Sequence, residues 1–157
     1  MKAISLYEPY ASFVMAGWKP IETRTHQRLK GLVGQTIIIH ATKGFIYDEN
    51  YFFYMDEGQR KRFEHSIKEN EFIRVDKEGK VTGALLGTVE VIGFRPLTEK
   101  DSQQAMFNCN GNNRYGLILK NPKWFDKPFP YKGHQGIFTI PPEVMKSIYY
   151  KGARKDL

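Results

Sequence analysis

Residues 4–24, ISLYEPYASFVMAGWKPIETR, carry the signals for a strand, a short helix and a second strand in close succession. The overlapping segment KAISLY alternates apolar and polar residues, which is typical of a strand. EPYASFVMAG is predicted as a helix because Pro9 suits the first helical position and Gly17 can end the helix in a left-handed conformation. Pro20 restricts Lys19 to extended backbone angles, so KPIETRT is predicted as the second strand.

The later segments continue this mixture of strands and short helices. QTIIIHA is a continuous β-branched run, which predicts a strand buried on both faces. GALLGTVEVIGFRPL is predicted as a long strand in which Gly87 and Gly93 form bulges or bends. RYGLILKN and GIFTIP are predicted as two further strands. Thr98 and Asp101 resemble a capping box that opens a helix to about Met106, and PPEVMKSIYY is a last short helix.

About five or six strands with few helices favour an α+β fold built on a small curled sheet or β-barrel. The helices are too short and too few for regular βαβ alternation. The whole chain, residues 1–157, is predicted to form one domain. Residues 45–80 are interpreted as a partly helical insertion that Gly58 divides, and residues 151–157, KGARKDL, as a frayed basic tail.

The charge balance favours anionic partners. The chain has 24 Lys and Arg against 17 Asp and Glu, a formal net charge of +7. This excess favours polyanions or anionic small ligands, although a merely soluble surface also explains it. No window reaches the apolar length of a membrane span, and no signal-peptide core opens the chain, so no membrane partner is expected. Cys109 is the single cysteine, and with these features it predicts a cytoplasmic protein.

Metal and organic cofactors are not expected. The four histidines show no spacing typical of metal ligands. The sequence also contains no phosphate-cradling glycine loop, dinucleotide fingerprint or nucleophile elbow. The sequence leaves the oligomeric state open.

The segment GWKPIETR concentrates charge between a helix and a strand. In a strand, Glu22 and Arg24 share one face while Ile21 points to the core. With Lys19 they offer one acceptor and two cationic donors, which suit a nucleobase edge beside a phosphate. The same groups suit acid–base chemistry if burial brings the pKa of Lys19 toward neutrality. A structural ion-pair cluster is the alternative.

Two later segments supply further candidate binding residues. His40 follows the apolar run of IIIHATK, so we expect its imidazole at the end of the strand, near a rim, with Lys43 close by. YKGHQGIF places Lys132, His134 and Gln135 around two glycines, which either bring the backbone close to a ligand or only make a tight turn.

Three tyrosines are candidates for stacking on a base. Tyr7 and Tyr10 lie at the first strand–helix junction, and Tyr115 follows an Asn/Gly-rich loop. Core packing is the alternative role for at least one of the first two.

The blocks quoted above resemble a known family in their order. ISLYEPYASFVMAGWKPIETR resembles the opening signature of the ASCH domain, a PUA-like β-barrel family: a strand, a Pro-aromatic-Ala helix, Gly, Lys and then I-E-x-R. IIIHATK is similar to the next block of that family and YKGHQGIF to its closing block. The blocks span residues 4–43 and 131–138, and the strand at 83–92 fits between them, so the resemblance covers nearly the whole chain. It implies a PUA-like small β-barrel with short flanking helices and a cleft on one side.

The resemblance also implies a function. ASCH domains are thought to bind RNA or modified nucleotides, and DNA is an alternative polyanion. Some small relatives are amidohydrolases that deacylate an acetylated cytidine with a Lys and a Thr of K-x-I-x-x-R and a distant Glu, and others are described as ribonucleases. Lys19 matches that Lys, and Glu22 stands in place of the Thr. A hydrolase that uses Lys19, Glu22 and His40 is therefore one alternative, and a protein-interaction module is another.

Overall fold

A six-stranded sheet lies at the centre of the part of the chain that the computed structural model describes, which comprises residues 1–72, 78–111 and 113–150, with side chains up to Ile148. The strands are β1 (Lys2–Glu8), β2 (Ile21–Arg24), β3 (Thr36–Phe45), β4 (Ala84–Pro96), β5 (Tyr115–Pro130) and β6 (Ile137–Thr139). The helices are α1 (Tyr10–Met15), α2 (Glu57–Lys68), α3 (Ser102–Ala105) and α4 (Pro142–Tyr150), with 3-10 turns at Lys30–Leu32, Glu49–Tyr54 and Glu99–Asp101.

The strand order is β2-β5-β4-β3-β1-β6, in which only the β1–β3 pairing is parallel. This arrangement confirms an α+β fold with six strands. The outer strands β2 and β6 are four and three residues long, and in the described residues no pairing joins them. The sheet therefore stays open, and the expected closed barrel is not confirmed.

The isoleucine run in β3 is buried on both faces, as predicted. Ile37 and Ile39 belong to the core cluster that includes Val14 of α1. Ile38 belongs to the cluster on the opposite face, which includes Ile148 of α4. A strand covered on both sides has no polar face, so β-branched residues can follow one another without alternation.

The first strand–helix–strand segment forms as predicted, with a shift of one residue. Pro9 is the N-cap, so α1 begins at Tyr10 rather than at Pro9. Gly17 follows Ala16, the C-cap of α1, with a φ of 81°, the left-handed region that glycine adopts without a steric penalty.

Among the described residues of the region 45–80, the 3-10 turn Glu49–Tyr54 and α2 are helical, but the division between them differs from the prediction. Gly58 lies inside α2, and the break falls before Asp56, which opens α2 with a capping box to Gln59. Those cap contacts hold the first turn of the helix, so a glycine there does not interrupt it. Phe63 of α2 and Tyr51 pack against Phe13 of α1 in an aromatic cluster.

Bulges shape the long strands. The register between β4 and β5 shifts next to Gly87 and Gly93, as predicted. β5 continues to Pro130, well beyond the predicted RYGLILKN, because its second half pairs with the start of β4 and buries Phe125. The Thr98–Asp101 capping box is confirmed, and Met106 ends α3 in a left-handed conformation. The predicted basic tail, residues 151–157, lies outside the described residues.

Candidate functional site

A large cavity opens where one face of the sheet changes from apolar to polar. Ala3 and Ile38 pair across β1 and β3 and belong to the core beneath α4. Two residues further along, Ser5 pairs with His40, and the alternation of the strands places both on that same face. The cavity has a volume of about 1160 Å³. Its lining includes Ser5, Tyr7, Arg24, His26, Arg28, His40, Thr42, Lys43, Lys80, Val81, Thr82, Lys132, Gly133, His134, Gln135 and Gly136.

We call this space the cationic cavity because of the charges along its wall. Five lysine and arginine side chains line it: Arg24, Arg28, Lys43, Lys80 and Lys132. Three histidines join them, and among the lining residues that the structure describes there is no aspartate or glutamate. A cleft lined by one sign of charge attracts ligands of the opposite sign, so the cavity favours an anion.

His40 forms part of the cavity floor. The prediction that it ends its strand at a rim is wrong: β3 continues to Phe45, and His40 is 2% exposed within it. Its Nδ1 lies 2.9 Å from the Ser5 hydroxyl and its Nε2 lies 2.6 Å from the Tyr131 carbonyl oxygen. A carbonyl only accepts, so Nε2 carries a proton, and burial lowers the pKa of His40, which favours the neutral ring. In that form Nδ1 accepts the Ser5 O–H.

The Gly133–Gly136 turn covers the Ser5–His40 pair. A Cβ atom on Gly133 would lie 2.6 Å from Ser5 Oγ, so only glycine allows the backbone to come this close. Gly136 has a φ of 70°, as a tight turn requires. His134 and Gln135 lie between these two positions and Lys132 just before them, and all three are exposed and line the cavity.

The charged trio after α1 does not line one cleft as expected. Lys19 and Glu22 are buried, at 2% and 5% exposure, and only Arg24 reaches the cationic cavity. Lys19 Nζ donates to the carbonyl of Ala105 and lies 4.0 Å from Glu22 Oε1, which lies 3.8 Å from an Arg24 nitrogen. Burial lowers the pKa of Lys19, while the Glu22 carboxylate opposes that shift. The functional roles of Lys19 and Glu22 stay predictions.

Of the three candidate tyrosines, only Tyr7 lies at the cationic cavity, where it is 54% exposed. Tyr10 packs edge-on against Phe13 in the aromatic cluster. Tyr115 stacks on Phe94 with a ring separation of 5.8 Å, and its hydroxyl accepts a hydrogen bond from Gln27. Tyr10 and Tyr115 therefore have packing partners, and their roles in binding stay predictions.

Sequence reasoning missed several lining residues, chiefly Ser5, His26, Arg28 and Lys80. The parallel register of β1 and β3 is the signal that leads from His40 to Ser5. Burial, reinforced by Arg28 and Arg24, lowers the pKa of His26, which favours the neutral form of that ring. Arg28 and Lys80 lie in connecting segments without periodicity, so no sequence signal marked them.

The described residues contain no group of three or more His, Cys, Asp or Glu that could hold a metal ion. They also contain no helix long and apolar enough to cross a bilayer.

The sequence profile of the ASCH domain matches residues 4–144. A match over most of the chain defines the class of protein, and this chain belongs to the ASCH domain family.

Solved structures of similar fold come from Zymomonas mobilis. The crystal structure of its ASCH protein has a TM-score of 0.54 at 10% identity, with 98% of this chain and 96% of that chain covered. A tyrosine-to-phenylalanine mutant of that protein has a TM-score of 0.55 at 11% identity, with 98% of both chains covered. A serine-to-alanine mutant of it also gives 0.55 at 11% identity, with 98% of this chain and 96% of that chain covered. At such low identity the similarity supports a shared fold and nothing finer.

Proposed function

We propose that this protein binds RNA or a modified nucleotide in the cationic cavity. The observation that carries the proposal is the set of five lysine and arginine side chains around one space whose described lining has no acidic residue. RNA binding, which is associated with the ASCH family, agrees with this charge distribution. Phosphate groups would meet the cationic side chains, and these contacts supply affinity without reading sequence.

Other lining groups suit a nucleobase. Tyr7 is exposed and offers an aromatic face for stacking. Gln135 offers an amide with both donors and an acceptor for the edge of a base. The cavity therefore combines phosphate-binding charge with the groups that recognise single-stranded RNA. Single-stranded DNA is the alternative ligand, because it differs from RNA only in the sugar and one base.

Binding to a labelled single-stranded RNA, measured by fluorescence anisotropy over a range of salt concentrations, tests the proposal. Arg28→Gln and Lys132→Gln remove one cation each from exposed positions at the cavity. Each should weaken binding and reduce the slope of log K against log salt by about 0.7, the value for one phosphate contact on a single strand.

Lys61→Gln is the matched control for these variants. Lys61 is exposed on α2 and pairs only weakly with Glu57 at 3.3 Å, outside the cavity. The Lys61→Gln variant should leave the slope of log K against log salt unchanged. Equal losses of RNA affinity in the control and the cavity variants would exclude the cavity as the binding site. The same titration with a DNA strand of the same sequence measures the preference for RNA.

A hydrolase is the second candidate function, and the Ser5–His40 contact is the observation that favours it. In such a reaction Ser5 Oγ attacks the carbonyl carbon of an acylated nucleoside while its proton moves to His40 Nδ1. His40 then gives that proton to the leaving nitrogen or oxygen, and water releases the acyl group by the same steps. The Tyr131 carbonyl accepts the Nε2–H throughout and fixes the ring.

Acetylated cytidine is the substrate that tests the hydrolase. Ser5→Ala should abolish turnover if the cavity pair is catalytic, whereas Lys19→Met should abolish it if the predicted Lys19–Glu22 pair acts instead. Thermal unfolding of both variants separates a lost catalyst from a lost fold. Absence of product with the wild-type protein contradicts amide hydrolysis, and intact labelled RNA after the same incubation contradicts a ribonuclease with His40 or His134 as the acid–base group.

A further inference from the structure

A second, smaller cavity adjoins the cationic cavity. Its volume is about 240 Å³, and it shares Lys43, Val81 and Thr82 with the larger space. The remaining lining residues are Phe45, Ile67, Asn70 and Phe72. We call it the apolar notch.

The notch leaves apolar surface exposed beside a region of positive charge. Phe45 is 42% exposed, Ile67 37% and Val81 53%. The rings of Phe45 and Phe72 lie 5.4 Å apart and are tilted by 59°, so they present two aromatic walls at an angle. Contiguous exposed apolar surface with a polar rim is typical of a binding site.

Among the described residues, the polar side chains that line the notch are those of Lys43, Asn70 and Thr82. Lys43 brings a positive charge to the boundary with the cationic cavity, and Asn70 brings an amide that both donates and accepts hydrogen bonds. Apolar walls with a small number of polar groups match a flat heterocycle that has two π faces and a hydrogen-bonding edge. A phosphate or a sugar alone matches these walls poorly, because both are polar over their whole surface.

We propose that the apolar notch holds one base of a single-stranded RNA whose adjoining phosphates lie in the cationic cavity. The inference rests on the proposed function. It narrows the proposed ligand to an oligonucleotide, since one nucleotide cannot fill both spaces. The shared residue Lys43 lies where the backbone passes from one space to the other. A base in a duplex is stacked on both sides, so only an unpaired strand can place one in the notch.

Calorimetric titration with ribose 5-phosphate, a monophosphate that has no base, and with tetra-adenylate tests the proposal. Phe72→Ala and Ile67→Gln alter residues that line the notch and not the cationic cavity. Each should weaken tetra-adenylate binding, by about tenfold for Phe72→Ala, which loses one stacking wall, and should leave the monophosphate affinity unchanged. The monophosphate should bind the wild-type protein more weakly than the tetranucleotide.

The controls separate this inference from the function on which it rests. Phe72 also packs near Phe63, so the unfolding midpoint of Phe72→Ala is measured to detect a folding defect. If Phe72→Ala has such a defect, the comparison is made with Ile67→Gln alone. Ile92→Gln repeats that substitution on β4 at a side chain that is 56% exposed and lines neither cavity. It should bind both ligands as the wild type does.

The outcomes differ for the two proposals. If the wild-type protein binds neither ligand, both proposals are overturned. If tetra-adenylate binds in a salt-dependent manner but the notch variants match the wild type, only the notch is overturned. Equal losses for both ligands also overturn it, because they show that the notch residues support the cavity rather than a separate base.

Discussion

Asp101 is a residue whose ionisation state should affect stability. Its carboxylate accepts two hydrogen bonds from Arg95, at 2.9 and 2.8 Å, and one from the Thr98 backbone N–H at 2.9 Å. The Arg95 contacts, followed by the Thr98 bond, lower the pKa of Asp101 from 3.8 to about 2. These bonds fix the chain just before α3. The Ala105 carbonyl of α3 accepts a hydrogen bond from the Lys19 ammonium group.

A pKa lowered by folding stabilises the native state above the unfolded pKa. The contribution is complete above pH 3.8 and is lost as the pH falls through about 2. Arg95 is half exposed, so solvent screening reduces the effect, and Asp101→Asn should lower the free energy of unfolding at neutral pH by about 1–2 kcal/mol. Urea unfolding of both proteins at neutral pH and near pH 2 measures this difference.

The deficit of Asp101→Asn should shrink at the acidic end of that range. Glu57→Gln is a control, since Glu57 is 83% exposed and its pairing with Lys61 should contribute well under about 1 kcal/mol. A deficit of the same size at both pH values would contradict an origin in the charge and indicate lost packing instead.

At the scale of single residues, the types of side chain at the candidate site were easier to predict than the solvent exposure of those side chains. Lys43, Lys132 and Gln135 could be chosen from sequence because they flank a buried strand or a glycine turn. The burial of Lys19 could not, because its acceptor, the carbonyl of Ala105, lies 86 residues further along the chain. A local pattern of charge cannot reveal that contact, so the same sequence was equally consistent with an open cleft and with an interior ion pair.

At the scale of elements, strands with local signals were predicted well and those that depend on distant partners were not. The run around Ile38 identifies β3 because burial on both faces leaves a purely apolar sequence. β5 was predicted too short: RYGLILKN stops just before Pro122, whereas the strand runs past both Pro122 and Pro128. In the fold, pairing with β4 across register shifts tolerates both prolines. Closure of the sheet is likewise decided by edges that carry no local signal.

At the scale of the whole molecule, the formal charge of +7 has two opposite consequences. Excess positive charge attracts a polyanion and at the same time repels itself in the compact state. The acids are spread over pairs such as Lys61–Glu57 and Arg62–Glu71, whereas the described lining of the cationic cavity has none. Self-repulsion therefore acts at the proposed binding site, where a bound phosphate backbone would relieve it.

Salt should consequently act in opposite directions on binding and on folding. Raising the ionic strength from about 0.05 to about 0.5 M shortens the screening length severalfold, so RNA affinity should fall steeply while the urea midpoint stays constant or rises. The exposed ion pairs that salt weakens are each worth only about 0–1 kcal/mol, and salt also relieves the repulsion among the excess cations, so we expect no net loss of stability. Parallel anisotropy and urea titrations in the same buffers measure both quantities. A midpoint that falls together with the RNA affinity would mean that salt unfolds the protein, and the loss of binding would then say nothing about phosphate contacts in the cavity.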